Sequence, residues 1–435
     1  MRKIRLFGIG CGVRTRIYLQ LASRHPERFE IIGAADPIAE RLDEVREACG
    51  NPPGFKTFRD DREVFALPRF ADVVVVGTQD NYHVQPCLRA MALGYDVLLE
   101  KPIAPKLDQV IALDRAAREL KRRVLVGHVL RYTPFYHKVR EIIDSGLLGE
   151  VVSIDATEGV NTFHQAHSYV RGKWSISEAS SPMILGKSCH DLDLIAWLAD
   201  RPCLKVASFG SLRHFRPEYA PRGAPKRCTD GCPVGETCHY NALRYLRDCR
   251  DMLGKIYPRH KTASSQDIFD WLSISPWGRC VHHCDNTAVD RQVVAMHFAE
   301  GRTATFTMTA FDAGRNLVVC GTRATLRGGD FIKSQAGFHF LVSSHGDGVE
   351  TKVALRNIPT GRSGGDEGLV DSLYSAMTGE NQTTSLATSV ESHVIGYAAE
   401  AARLSEQTID IARFRNESDP GSDWRGFFAK SFPDL

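Results

Sequence analysis

Residues 3–26 read "KIRLFGIGCGVRTRIYLQLASRHP". An apolar strand pattern runs into two glycines one residue apart, and apolar residues then recur at helical spacing. In the turn Gly10-Cys11-Gly12-Val13-Arg14-Thr15, Gly10 permits the tight bend and Gly12 lets the backbone approach a pyrophosphate. The helix that follows, opening at Val13 and Arg14, points its N-terminus at the phosphates. Thr15 stands where a third glycine would complete the dinucleotide fingerprint, so the helix–strand packing there must differ while the phosphate site is kept.

The pattern repeats downstream. "FEIIGAAD" (29–36) reads as a second strand, "AERLDEVREAC" (39–49) as a helix, and "ADVVVVGT" (71–78) as the continuous apolar run of a buried parallel strand. "YHVQPCLRAMALG" (82–94) is a helix ending on glycine, followed by the strand "YDVLLE" (95–100). Strand–helix alternation with short connections predicts a doubly wound parallel α/β sheet over residues 1–130. Asp36 closes the second strand, where a carboxylate accepts from both ribose hydroxyls and repels a 2'-phosphate. Pro37 and Ile38 follow it rather than arginine, so NAD is expected over NADP, with Arg41 the nearby residue that argues the other way.

From residue 131 onward the pattern lengthens. After "GLLGEVVSIDATEG" (146–159) the segments alternate, and "DRQVVAMHFAEGRTATFTMTAF" (290–311) and "NLVVCGTRATLRGG" (316–329) predict antiparallel strands joined by glycine turns. "GLVDSLYSAMTG" (368–379) and "SVESHVIGYAAEAARLSEQ" (389–407) predict amphipathic helices. Residues 131–435 are therefore expected to form a second α/β domain, with a cysteine-rich insertion near 210–290.

Length and charge narrow the function. A chain of 435 residues exceeds what one core usually supports. Its formal net charge of +3, with no basic block, argues against nucleic-acid binding, and no apolar run is long enough to cross a membrane. The N-terminus passes straight into a glycine turn, so a cytoplasmic protein is expected.

With Gly10 and Gly12, Asp36, "VVGTQDNYHVQPCLRAMALGYDVLLEKP" (75–102) and "VGHVLRYTPFYHKVREIIDSGLLGEV" (126–151), the chain resembles the glucose–fructose oxidoreductase / inositol dehydrogenase / MocA family. Glu100-Lys101-Pro102, at the end of the fifth strand, is that family's hallmark. The resemblance implies a Rossmann domain paired with a domain built on a large, open, mostly antiparallel sheet, the nicotinamide lying between them. It implies oxidation of a sugar or polyol hydroxyl, with Lys101 beside the nicotinamide binding the oxygen and stabilising developing alkoxide charge. It places Thr78, Asn81, His83, Glu100 and Arg131 along the cofactor, and it implies a homo-oligomer.

"SPMILGKSCHDLDLIAWLAD" (181–200) predicts one helix carrying Lys187, His190 and Asp191, with Lys187 and His190 on one face. By resemblance His190 is the proton acceptor in hydride transfer. A neutral imidazole near pH 7 suits that task. The family's aspartate, four residues before the histidine, is here Gly186, and Lys187 is the nearest ionisable residue. Lys187 is accordingly a candidate for substrate binding or for holding the imidazole neutral. "SYVRGKW" (168–174) offers Tyr169, Arg171 and Trp174 as a sugar-facing set, the alternative being a packed loop. Some relatives are NAD-dependent glycosidases that oxidise a ring hydroxyl transiently, eliminate, add water and reduce again; here Lys187 or Tyr169 would supply the extra acid–base group. A non-catalytic NAD sensor is a third reading, against which the Lys101 and His190 pair speaks.

Six of the twelve cysteines fall between 228 and 284. Cys228, Cys232 and Cys238, with Cys284 or Cys280, would supply the four thiolates of a structural zinc; the alternative is plain reduced thiols.

Overall fold

The computed structural model describes residues 3–257, 260, 262–330, 337–355, 364–379 and 385–432. Its first sheet is wholly parallel, with strands β1 (Ile4–Ile9), β2 (Phe29–Ala35), β3 (Lys56–Phe58), β4 (Val73–Val76), β5 (Asp96–Leu99) and β6 (Val124–Val126) in the order β3-β2-β1-β4-β5-β6. All four residues of β4 and of β5 are buried, as a parallel strand covered on both faces must be. The helices Val13–Ser23, Ala39–Ala48 and Val84–Ala92 fall where the apolar spacing put them.

The second sheet has nine strands: β7 (Val151–Val160), β8 (Cys203–Ser211), β9 (Arg291–Phe298), β10 (Thr303–Thr309), β11 (Ala313–Gly321), β12 (Ala324–Gly329), β13 (Phe340–Ser344), β14 (Glu350–Val353) and β15 (Ile409–Asp410). Their order is β14-β13-β12-β11-β7-β10-β9-β8-β15, antiparallel except for β7 beside β10. In β9 buried and exposed residues alternate strictly, so one face of this sheet packs on the core and the other faces solvent.

Two C-terminal helices tie the sheets together. Gly365–Thr378 packs on the first sheet: Leu369, Val370, Leu373 and Ala376 join a buried cluster with Ile4, Leu6 and Leu98. A Cβ on Gly365 would lie 2.4 Å from the Val129 carbonyl oxygen, and one on Gly368 would lie 2.6 Å from Tyr132 Cβ, so this approach needs glycine at both places. Leu386–Ser405 reaches both sheets, through His393 to Ile103 and through the main core cluster to β8.

The segment 181–200 is not one helix. A short turn, Met183–Gly186, ends at Lys187, and a separate helix, Cys189–Ala199, begins beyond Ser188 (φ −93°, ψ 7°). The break lets Lys187 turn toward Glu158 on β7 while His190 faces the first sheet.

Candidate active site

The glycine turn is built for close backbone approach. Gly10 has φ +78°, and a Cβ there would lie 2.7 Å from the backbone nitrogen of Thr78. A Cβ on Gly12 would meet only the Gly77 carbonyl oxygen, at 3.8 Å, so the space before the first turn of Val13–Ser23 stays open. No side chain caps that helix, which leaves its first N–H groups available to an anion. Thr15 fits in place of the third glycine because Gly8 and Gly77 opposite it lack side chains; a Cβ on Gly77 would lie 2.2 Å from Thr15 Oγ1.

Asp36 Oδ2 accepts from the Cys11 backbone N–H at 2.7 Å and Oδ1 from that of Ile38 at 2.9 Å, which fixes the carboxylate beside the turn. Arg41 stands 3.8 Å from it. These residues fit a dinucleotide: Gly10, Gly12 and Val13 would cradle the pyrophosphate, and Asp36 would take the ribose diol.

Several residues expected to line the cofactor have partners within the chain. Arg14 ion-pairs with Glu100 at 3.2 Å and with Asp366 at 2.5 Å, and Tyr18 Oη donates to Glu100 at 2.5 Å. Glu100 thus anchors the end of β5 to the first helix. His83 is buried, with Nδ1 2.7 Å from the Pro102 carbonyl oxygen and Nε2 3.2 Å from that of Thr78. Thr78 donates its hydroxyl to the Tyr82 carbonyl, and Asn81 reaches Ala179 at 2.8 Å. Arg131 is buried and committed to Asp193 through two hydrogen bonds of 2.6 and 2.7 Å. Burial opposes the Asp193 charge, yet the Arg131 guanidinium and the His128 ring beside it hold the carboxyl below its ordinary range.

Lys101 is the second residue beyond β5, after Glu100, and its peptide bond to Pro102 is cis. Its Nζ donates to the Gly186 carbonyl oxygen at 2.8 Å. His190 is 5% exposed, in the first turn of Cys189–Ala199, and its ring meets His128 edge-on at 5.7 Å. His128 in turn meets His393 at 5.6 Å. His393 accepts from the Ile103 N–H through Nε2 and faces the Ser389 carbonyl through Nδ1, an arrangement that fixes the neutral Nδ1–H tautomer. Burial pushes His128 down to about 4 and His393 to about 3. Behind His190 and Lys101 stands a wall of uncharged imidazole.

Lys187 does not share a face with His190. It ion-pairs with Glu158 at 2.6 Å; Arg315 reaches the same carboxylate and holds Asp191 at 2.6 Å. Burial lowers Lys187 although Glu158 works the other way, and burial raises Asp191 against the pull of Arg315. Trp174 lies at the site: Nε1 donates to Asp80 at 2.8 Å, and its Cδ1 stands 3.5 Å from where a Gly186 Cβ would be. Tyr169 is buried behind it, stacked at 5.7 Å, and Arg171, 4% exposed, points toward the cysteine-rich segment. Tyr169 and Arg171 are therefore corrected from a sugar-facing role to packing. His128, His393, Asp193, Glu158 and Arg315 were not anticipated. A histidine inside the apolar run "RRVLVGHVL" (122–130) was the visible signal for the first of these.

Among the described residues, no three His, Cys, Asp or Glu side chains stand close enough to hold a metal, so the set Cys228, Cys232, Cys238 and Cys284 is not brought together. Cys284 Sγ instead donates to the Cys280 carbonyl and packs with Phe215 and Val281. Among the described residues, no helix is long and apolar enough to cross a membrane.

Two family profiles match the chain: "Oxidoreductase family, NAD-binding Rossmann fold" over residues 4–128, and "Oxidoreductase family, C-terminal alpha/beta domain" over residues 140–393. The chain is 24% identical over 381 residues to the oxidoreductase YteT of Bacillus subtilis (strain 168), covering 84% of this chain and 87% of that one. It is 22% identical over 206 residues to inositol 2-dehydrogenase of Corynebacterium glutamicum (strain R), covering 47% of this chain and 57% of that enzyme. In fold it is similar to the scyllo-inositol dehydrogenase of Lactobacillus casei solved with NAD(H) and scyllo-inositol, with TM-score 0.64 at 14% identity over 94% of this chain and all of that one (100%). It is similar also to an oxidoreductase of Agrobacterium radiobacter solved with NAD+, L-tartaric acid and magnesium, with TM-score 0.67 at 15% identity over 95% of this chain and 99% of that one.

Proposed function

Because the chain belongs to the Gfo/Idh/MocA oxidoreductase family, we propose that it is an NAD-dependent dehydrogenase of a carbohydrate or polyol hydroxyl, with Lys101 polarising the oxygen and His190 accepting its proton. The observation that carries this reading is the 2.8 Å bond from Lys101 Nζ to the Gly186 carbonyl. It brings the ammonium at the end of β5 to the segment that leads into the His190 helix. The cofactor, when bound, supplies the hydride acceptor. Lys101 binds the substrate oxygen and stabilises the charge that develops as its proton leaves. His190 takes that proton, and the neutral His128 and His393 behind it add no cation that would compete for position. Asp36 favours NAD over NADP, Arg41 being already drawn toward that carboxylate.

The glycosidase alternative needs a further acid–base group facing the substrate. Tyr169 is buried behind Trp174 and Lys187 is held by Glu158, so neither favours it. A homo-oligomer accords with the open face of the nine-stranded sheet, where Phe209 is 69% and Val293 45% exposed. The test is incubation with NAD and a panel of sugars, polyols and nitrophenyl glycosides. Stoichiometric NADH from a free sugar or polyol, lost in Lys101→Ala and His190→Ala, is expected. Nitrophenol release that requires NAD but accumulates no NADH would overturn the dehydrogenase.

A further inference from the structure

Lys173 is a cation that the hydride-transfer site leaves without a task. It follows the turn Ala166–Val170 in the connection between β7 and β8. The Arg171 N–H donates to the Ala166 carbonyl at 3.1 Å, and the Trp174 N–H to that of Ser168 at 3.3 Å. A Cβ on Gly172 would lie 2.6 Å from the His167 carbonyl oxygen, so the backbone here is packed tight and needs glycine. Lys173 is presented from a fixed turn, not from a loose loop.

Contacts place its ammonium. Lys173 Nζ stands 4.3 Å from the centroid of the Trp174 ring. Trp174 Nε1 donates to Asp80 at 2.8 Å. Asp80 lies two residues beyond Thr78, whose backbone nitrogen backs Gly10 of the phosphate turn. The same indole approaches Gly186, whose carbonyl takes the Lys101 ammonium. Lys173 is thereby set along the stretch that a dinucleotide crosses from its pyrophosphate to its nicotinamide.

The charges that act on this lysine of the second domain are Asp80, Arg41, Lys101 and Glu100, all from the first. Among the described residues no carboxylate ion-pairs with it. Asp80 Oδ2 is already taken by Trp174 Nε1 and by the Ser181 hydroxyl. The side chain keeps some contact with solvent, yet the protein around its ammonium removes enough water to push it down to about 8. Asp80 opposes that shift, and the Arg41 and Lys101 cations add to it. An ammonium held on an aromatic face, with other cations near and no anion of its own, is ready for a ligand that brings one.

We propose that Lys173 binds the diphosphate bridge of NAD from the second domain, closing across the cleft the cradle that Gly10, Gly12 and Val13 form in the first. The inference rests on the NAD-dependent reading above. The cradle offers backbone N–H groups but no full positive charge, because Arg14 at the start of its helix is engaged by Glu100 and Asp366. Lys173 supplies that charge. A diphosphate beside it favours the protonated ammonium, so binding near pH 8 draws a proton onto the lysine.

The test is calorimetric titration of the full chain with NAD, ADP-ribose and adenosine, none of which requires turnover. Lys173→Met keeps an unbranched stem over Trp174 and removes the charge. NAD and ADP-ribose, which carry the diphosphate, should bind it about 10- to 100-fold more weakly, the cost of one hydrogen bond to a charged group. Adenosine affinity should not change, and Lys173→Arg should restore most of the loss. Wild type should take up about half a proton per NAD at pH 8, read from the heats in buffers of different ionisation enthalpy, and Lys173→Met should lose that uptake. Equal NAD affinity in wild type and Lys173→Met overturns the proposal, as does a loss that extends to adenosine in the same proportion. NAD affinity kept while KM rises for acidic substrates alone would give the lysine to the substrate and overturn it too. A wild-type chain that binds neither NAD nor ADP-ribose would sink the dinucleotide reading itself, and this inference with it.

Discussion

Lys101 Nζ donates to the carbonyl oxygen of Gly186 at 2.8 Å, and Gly186 stands four residues before His190. A backbone carbonyl orients the ammonium here without adding a full negative charge. Wall space remains, since a Cβ at Gly186 would meet nothing closer than 3.5 Å.

From this relationship the first expectation concerns Lys101→Met. The variant should keep its affinity for NAD within a few-fold while kcat falls roughly 10²–10³-fold, the usual cost of removing one oxyanion-stabilising donor. NAD binding followed by protein fluorescence, beside steady-state NADH production, separates the two quantities. A KM effect alone would show that Lys101 only binds substrate.

His190→Asn keeps a hydrogen-bonding side chain of similar shape but removes the base. Turnover should drop by about 10²–10⁴-fold and recover in part toward high pH, as hydroxide takes over proton removal. A variant whose pH–rate profile merely scales down from wild type would show that His190 is not the proton acceptor.

Much of this site was visible in the sequence because its signals are local. Gly10 and Gly12 sit in one turn, Asp36 closes the next strand, and Glu100-Lys101-Pro102 is contiguous. What was hidden depends on contacts between residues far apart in the chain. The helical spacing of 181–200 could not show that Lys187 would leave the helix, because the partner that draws it away, Glu158, lies on β7. Arg171 and Trp174 are three residues apart and read as one loop, yet Trp174 turns to Asp80 and Arg171 to the carbonyls of Tyr240 and Arg279. His393 reaches Ile103 from a helix that sequence assigned wholly to the second half of the chain.

Asp193→Ala should be severely destabilising without touching the substrate. It leaves the buried Arg131 guanidinium without the two hydrogen bonds it now makes. Removing one partner of such a pair costs about 3–5 kcal/mol. The urea midpoint should fall accordingly, and the Arg131→Met, Asp193→Leu double variant should recover part of the loss. Equal destabilisation of single and double variants would show that shape, not charge, is at stake.

Asp36→Ala removes the acceptor for the ribose diol and the acceptor now used by the Cys11 N–H. A hydrogen bond to a charged group is worth about 1.5–3 kcal/mol, so NAD affinity should weaken tenfold or more. The ratio of NADP to NAD affinity should rise, since Arg41, 3.8 Å away, is released to meet a 2'-phosphate. An unchanged ratio would place cofactor choice elsewhere.

The imidazole wall sets the response to acid. His128 is held at about 4 and His393 at about 3, both by burial, against about 6.5 in an unfolded chain. For a group whose folded pKa is depressed in this direction, the unfolded state takes up the proton first. The stability it confers is complete above pH 6.5 and is lost as pH falls toward the folded value. Between about pH 6 and 4 each histidine should cost about 1.4 kcal/mol per pH unit, the two together about twice that. Urea unfolding followed between pH 7.5 and 4.5 should therefore show a steepening loss that His393→Gln reduces by one histidine's share, even though the variant is weaker at pH 7.5. A slope identical in wild type and variant would mean that groups other than His393 govern acid unfolding.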